Sequence, residues 1–223
     1  FTQSAQVSPG LPAPPARPLV PDPYVKAYNS SIKNFEITNE ATLKIEWKTS
    51  IGTITSLGAY TRRKMKEYFD IDGTYADLTF IRAKLYFSTW QESLVYNITA
   101  IDNLDLLVGG DYYHDFRETR PNFTTAGGNL VQLSFNQQRN ESYAFYVDAT
   151  YKVTDRISLN VGGRYAHDSS YINFLVYSGT GALTTPPNPR NVSFSKFIPR
   201  ASVRYQIAPQ TNVYASFSKG YKP

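Results

Sequence analysis

The sequence has no cysteine, one methionine, two histidines and two tryptophans among 223 residues. Without cysteine there is no disulfide framework, no thiolate metal site and no cysteine nucleophile. Charged residues are also scarce, at 18%, against the roughly 25% of an average soluble domain. No uncharged apolar run approaches the roughly 18 residues of a membrane-spanning helix, which excludes helical membrane proteins but not barrels. The N-terminus lacks the charged, apolar and small-residue regions of a signal peptide, as expected of a mature or truncated chain. Net charge is only +5 and its basic residues are scattered, so no nucleic-acid partner is expected.

Tyrosine and phenylalanine, by contrast, are abundant, with 18 and 13 copies. Proline is concentrated near the start: Pro9, Pro12, Pro14, Pro15, Pro18, Pro21 and Pro23. That density suits neither a helix nor a paired strand, and residues 1–34 read as an extended segment or extracellular loop. From Phe35 onward the pattern is β throughout: alternation of period 2, branched and aromatic residues, and short polar turns. Phe145, Val147, Ala149, Tyr151 and Val153 alternate with Ala144, Tyr146, Asp148, Thr150 and Lys152. Ile157, Leu159, Val161, Gly163 and Tyr165 likewise alternate with Ser158, Asn160, Gly162 and Arg164. Such runs exceed the roughly 5–6 residues of a globular strand and match the roughly 9–11 of a tilted membrane strand.

Short turn signals recur near Thr49–Gly52, Ile101–Asn103, Thr154–Arg156 and Ala208–Gln210, about 52 to 55 residues apart. Between them lie long polar stretches, Tyr68–Lys84, Thr119–Asn140 and Tyr177–Asn191, which read as loops. Short turns at one end and long loops at the other are the asymmetry of an outer-membrane barrel. The repeat is visible in the letters: Leu106-Leu-Val-Gly-Gly-Asp-Tyr-Tyr-His-Asp115 echoes Leu159-Asn-Val-Gly-Gly-Arg-Tyr-Ala-His-Asp168. Eight strands are predicted, over 35–48, 52–66, 86–100, 104–117, 140–153, 156–176, 193–207 and 211–222. Facing is ambiguous for 52–66 and 86–100, where alternation is poor.

Asp148-Ala-Thr-Tyr-Lys-Val-Thr-Asp-Arg-Ile-Ser-Leu159, followed by Gly162-Gly-Arg-Tyr-Ala-His-Asp168, resembles the barrel of a TonB-dependent outer-membrane receptor. So do Phe194-Ser-Lys-Phe-Ile-Pro-Arg-Ala-Ser202 and Asn212-Val-Tyr-Ala-Ser-Phe-Ser-Lys-Gly-Tyr-Lys-Pro223, with weaker echoes at Ile54–Tyr60 and Trp90–Glu92. The resemblance covers roughly Phe35 to Pro223. It implies an all-β, antiparallel up-and-down transmembrane barrel segment, about eight strands of a 22-stranded barrel, with neither plug domain nor closing strands in this sequence. It further implies location in the bacterial outer membrane, against lipid. A plug domain and the TonB complex would be its partners in the full-length protein, and its role energy-coupled uptake of a scarce nutrient such as a ferric siderophore. The alternatives are a small closed eight-stranded outer-membrane barrel with a structural or adhesion role, and a soluble carbohydrate-binding sandwich.

Candidate chemistry is sparse. His114-Asp115 and His167-Asp168 hold the only histidines. Imidazole beside carboxylate suits a metal or acid–base site, but neighbouring strand residues point to opposite faces, so a polar rim is the simpler reading. Neither a nucleophile arrangement nor a phosphate-cradling loop is present; no enzyme and no cofactor are expected. Arg62, Arg63, Lys64 and Lys66 form a basic run that would draw anionic ligands to an extracellular mouth, or meet anionic lipid headgroups. Lys44, Glu46, Asp111, Asp148, Lys152, Arg164, Arg200 and Arg204 are expected on a wet lumen or plug-facing wall, because a dry core would not hold so many charges. Tyr60, Tyr112, Tyr113, Tyr165, Tyr205 and Tyr221 read as an interfacial aromatic girdle. Asn-x-Ser/Thr sequons begin at Asn29, Asn97, Asn122, Asn140 and Asn191.

Overall fold

A computed structural model of the chain describes residues 33–71, 79–185 and 187–220. The Pro-rich segment lies outside the described residues, apart from Lys33 and Asn34, which open the first strand. Tyr221 and Asn29 also lie outside them.

The described chain is one antiparallel meander. Its strands are β1 (Lys33–Lys48), β2 (Gly52–Asp70), β3 (Phe80–Ile101), β4 (Leu104–Ala126), β5 (Asn129–Lys152), β6 (Ile157–Ser178), β7 (Leu183–Thr185), β8 (Arg190–Ala208) and β9 (Thr211–Ser218). Each pairs with its sequence neighbour in the order β1-β2-β3-β4-β5-β6-β8-β9, and the three-residue β7 flanks β6. The eight predicted strands are therefore all present.

Tight turns at one end follow from local chemistry. The Thr49 hydroxyl accepts from the Gly52 amide at 3.1 Å, and the Thr154 hydroxyl accepts from the Ile157 amide at 3.0 Å. In each case a side-chain oxygen stands in for a backbone partner. Asn103 turns the β3–β4 connection with φ of 59°, a conformation that asparagine tolerates better than most residues.

At the opposite end the sequence reading needs correction. Thr119–Asn140 is not a loop: β4 runs on to Ala126 and β5 starts at Asn129. The connection between them is Gly127-Gly128, with φ of 56° and 77°, the positive pair that a two-residue hairpin turn demands. Tyr68–Lys84 and Tyr177–Asn191 are likewise shortened by strand from both sides. These extensions are rich in Asn, Gln, Thr and Ser, so the short alternation of Val131, Leu133 and Phe135 with Gln132, Ser134 and Asn136 in β5 is easily read as part of a loop. Ladder hydrogen bonds form regardless of what the side chains are.

The sheet has two unlike faces. Apolar side chains gather on one: Leu43 and Ile45, Leu106 and Val108, Phe145 and Val147, Leu159 and Val161, Ala201 and Val203, Val213 and Phe217. Among the described residues only Ala83, Ala144 and Ala166 are buried apolar residues, while large ones such as Phe145, Val161 and Phe217 are more than half exposed. A water-soluble sandwich would have covered that face with a second layer; here none of the described residues does so.

Register also resolves β2 and β3. Their apolar-face rows are Ile54, Ser56, Gly58, Tyr60 and Trp90, Glu92, Leu94, Tyr96. A carboxylate stands in the apolar row, which is why alternation fails there. Glu92 accepts from the Ser56 hydroxyl at 2.7 Å and lies over Gly58, where a Cβ would come within 2.7 Å of its carboxylate.

Candidate functional site

The polar face is the candidate site. In β4, Asp111 accepts from Ser93 on β3 at 3.0 Å, from the Tyr146 hydroxyl on β5 at 3.4 Å and from Arg164 on β6 at 2.7 Å. Arg164 reaches over β5 to do this, its guanidinium 5.4 Å from the centroid of the Tyr146 ring. A second network repeats the plan one hairpin further on. Asp148 of β5 accepts from Asn160 of β6 at 2.6 Å and from two nitrogens of Arg200 on β8, at 2.6 and 2.5 Å.

The glycine pair of the repeated motif makes room for this reach. Gly162 sits between Asp148 and Arg200 in register. A Cβ there would strike the Asp148 carboxylate and approach the Val147 carbonyl within 2.8 Å. Gly163 faces the other way and is covered by the Phe197 ring, 2.6 Å from where its Cβ would be. The polar side chain bridges one glycine and an aromatic covers the next, so both faces close over a strand that lacks side chains of its own.

Lys44 pairs with Glu46 at 2.7 Å on the same polar face. Lys152 and Arg204 also lie on it, both in register with Ser158, near the short turns. All the residues expected to share the wall thus occupy one face, and two carboxylate–guanidinium networks join Asp111, Arg164, Asp148 and Arg200.

The basic run is divided by strand alternation. Arg63 projects from the polar face, while Arg62, Lys64 and Lys66 lie on the opposite one. Arg63 is in register with Phe87 of β3, and Phe87 with Arg117 of β4. The two guanidinium groups flank the Phe87 ring at 4.2 and 5.1 Å from its centroid. Arg63 has only a distant ion pair, with Glu36 at 3.8 Å. Sequence reading missed this Arg–Phe–Arg row because Arg117 and Phe87 are remote in the chain, and only the register brings them beside Arg63.

The histidine–aspartate pairs do not converge. Asp115 is on the polar face, accepting from Thr89 at 2.9 Å, and His114 is on the other. His167 lies on the apolar face, stacked on Tyr143 at 4.9 Å and hydrogen-bonded to Ser195 at 2.7 Å. Among the described residues no group of three or more His, Asp or Glu side chains could hold a metal ion. Aromatic residues border the apolar face away from the short turns: Tyr60 and Trp90 lie 6.0 Å apart, and Tyr112 and Tyr143 are register partners. Tyr165 belongs to the same border, Tyr205 lies at the short-turn end, and Tyr113 points to the polar face beside Ser142. Asn97, Asn122, Asn140 and Asn191 all fall within strands.

Comparison with solved structures gives the same architecture. The ferric yersiniabactin uptake receptor FyuA of Yersinia pestis matches with a TM-score of 0.68 at 15% identity, over 82% of this chain and 28% of that one. The ferric citrate transporter FecA matches with a TM-score of 0.60 at 18% identity, over 83% and 27%. The ferric-catecholate import receptor Fiu of E. coli K12, in its open form, gives 0.59 at 17% identity, over 86% and 37%. The chain thus spans about a third of the length of these structures. No curated protein matches it in sequence. The family described as TonB dependent receptor-like, beta-barrel, matches residues 3–223. An up-and-down antiparallel sheet with one apolar face and one ion-paired polar face agrees with this match, and the chain belongs to the TonB-dependent receptor family as part of its β-barrel.

Proposed function

We propose that this chain forms part of the wall of a bacterial outer-membrane receptor for energy-coupled uptake of a scarce nutrient, a ferric siderophore or similar anionic iron chelate. In this reading the apolar face meets lipid and the polar face lines the lumen against a plug domain, with the TonB complex as the energy-coupling partner. Sheet chemistry supports the orientation. Large side chains such as Phe145, Val161 and Phe217 tolerate exposure on one side only if that side faces hydrocarbon. Asp111, Asp148, Arg164 and Arg200 retain their charges only where water or polar partners reach them.

The observation that carries the ligand class is the Arg63–Phe87–Arg117 row. It stands beyond the Tyr60–Trp90 border, on the side away from the short turns, and lies on the polar face. Two guanidinium groups around a ring present positive charge and an apolar surface together, a combination suited to an anionic chelate with planar donor groups. Arg62, Lys64 and Lys66 add to the positive field at the mouth, while Arg63 borders the path itself.

The test uses the full-length receptor that carries these strands, in iron-limited cells. Replacing Arg63 and Arg117 together with Gln is expected to weaken binding of an anionic ferric chelate about tenfold, the loss of two charge-assisted contacts, with unchanged barrel abundance. Unaltered chelate binding in that variant removes the row from the ligand path. Unaltered iron uptake after deletion of the whole receptor overturns the transport reading.

A further inference from the structure

On the polar face, one row of register partners runs from Tyr113 of β4 through Ser142 of β5 and Asp168 of β6 to Phe194 of β8. It lies nearer the short turns than the Arg63–Phe87–Arg117 row, which continues through Gln138, Ile172 and Arg190. Ser142 and Ser170 are too small to fill the space between the aromatic side chains of the first row. A shallow cleft of about 360 Å³ results, bordered by Tyr113, Ser142, Asp168, Ser170, Val192 and Phe194. Val192 and Phe194 are each about half exposed, and Tyr113 is exposed as well.

Asp168 is the charged side chain that this face brings to the cleft, and it differs from its neighbours. Asp111 and Asp148 are each held by an arginine, and Asp115 accepts from Thr89. The half-buried Asp168 carboxylate has no side-chain partner among the described residues. Nearby cations are engaged or out of reach. Arg164 holds Asp111, Arg200 holds Asp148, and Lys196, in register with Ala166 on β8, makes no ion pair with Asp168. A lone carboxylate between Tyr113 and Phe194 has the makings of an ammonium site. Its charge attracts the cation, the ring faces add cation–π attraction, and the Ser142 hydroxyl offers a further acceptor.

We propose that this cleft is a second subsite of the ligand path and takes a protonated amine, so that the transported chelate carries a cationic group as well as anionic donors. The inference rests on the chelate reading and narrows its ligand from an anionic complex to one of mixed charge. Spacing agrees with two subsites on one ligand. Asp168 lies two strands and four residues from Arg117, about 16 Å between backbones at about 4.8 Å per strand and 3.4 Å per residue. A metal-binding head against the guanidinium groups, with an alkyl arm reaching the cleft, spans that distance. A ligand without the amine would cover Asp168 and leave its charge unpaired, which weakens binding. The carboxylate therefore selects between chelates rather than only adding to affinity.

The test uses the full-length receptor that carries these strands, purified in detergent, and two synthetic probes. Both are ferric tris-catecholate complexes on one scaffold. The first bears a primary amine on an alkyl arm, and in the second that amine is acetylated. Arg63 and Arg117 by themselves favour the acetylated complex, which is one charge more negative, so a preference for the amine has to come from a carboxylate. The parent is expected to bind the amine complex about tenfold more tightly, the worth of one charge-assisted contact. D168N should abolish or invert that preference with little change in affinity for the acetylated complex. D168E should retain part of it, and K196Q should leave it intact. Raising salt should narrow the preference in the parent. Equal or tighter binding of the acetylated complex by the parent overturns the amine subsite and leaves the chelate reading in place, as does an undiminished preference in D168N. Binding of neither complex overturns the chelate reading, and the subsite with it.

Discussion

At the scale of single residues, the polar wall is organised around two carboxylates that each gather partners from neighbouring strands. Asp111 and Arg164 are 34% and 42% exposed, so solvent screens their attraction and their coupling is modest. A double-mutant cycle of Asp111→Asn and Arg164→Gln is expected to give about 1 kcal/mol of coupling in denaturant unfolding of the full barrel. Gly162 is less forgiving, because its Cβ would meet both the Asp148 carboxylate and the Val147 backbone. Gly162→Ala should cost about 1–3 kcal/mol, seen as a lower unfolding midpoint together with a broken Asp148–Arg200 contact. Glu118 lies 2.5 Å from Arg120 beyond the membrane border, and that hydrogen bond raises the guanidinium pKa further, so Arg120 stays charged at every pH the cell meets.

Among elements, the surprise is length. Strands β3 to β6 continue well past the aromatic border, so the wall extends outward as a sheet where loops were expected. Asn122, Thr124, Gln132, Ser134 and Asn136 share one polar face of this extension, while Val131, Leu133 and Phe135 of β5 stand on the other, a short alternation that the surrounding Asn, Thr and Gln residues hide. Gly127-Gly128 was the available signal, since adjacent glycines between paired runs specify a two-residue hairpin. Replacing both with Ala forces two residues into a left-handed conformation, at about 1–2 kcal/mol each. The expected outcome is protease cleavage between residues 120 and 135 at concentrations that leave the parent intact, with transmembrane strands still protected. An Asn-Gly replacement should behave as the parent.

At the scale of the whole molecule, the edges matter most. Among the described residues β1 pairs only with β2 and β9 only with β8. The closed eight-stranded barrel would have needed β9 against β1, and that pairing does not occur. Unpaired backbone groups along two edges are not tolerated in hydrocarbon, so in a membrane these edges require further strands. The 223-residue chain expressed alone is therefore expected neither to insert stably nor to conduct. Stepwise single-channel currents from the purified chain in a planar bilayer would show instead that it closes on itself.

How much was legible follows from which forces act on single strands. Residue order alone determined the all-β class, the transmembrane alternation of β4, β5, β6 and β8, the four short turns and the repeated glycine pair. Those features are local: they depend on alternation of period 2 and on turn chemistry within a few residues. Charge placement was also readable for Asp111, Asp148, Arg164 and Arg200, since each lies opposite an apolar row in its own strand. Tertiary structure decided the rest, because register is a relation between strands. It set Arg63 beside Phe87 and Arg117, turned Arg62, Lys64 and Lys66 to the other face alongside Lys84, placed Glu92 under Ser56, and left β1 and β9 as open edges. A shift of one residue in pairing would exchange the two faces of a strand, and a single strand read alone does not reveal which neighbour, at which register, completes it.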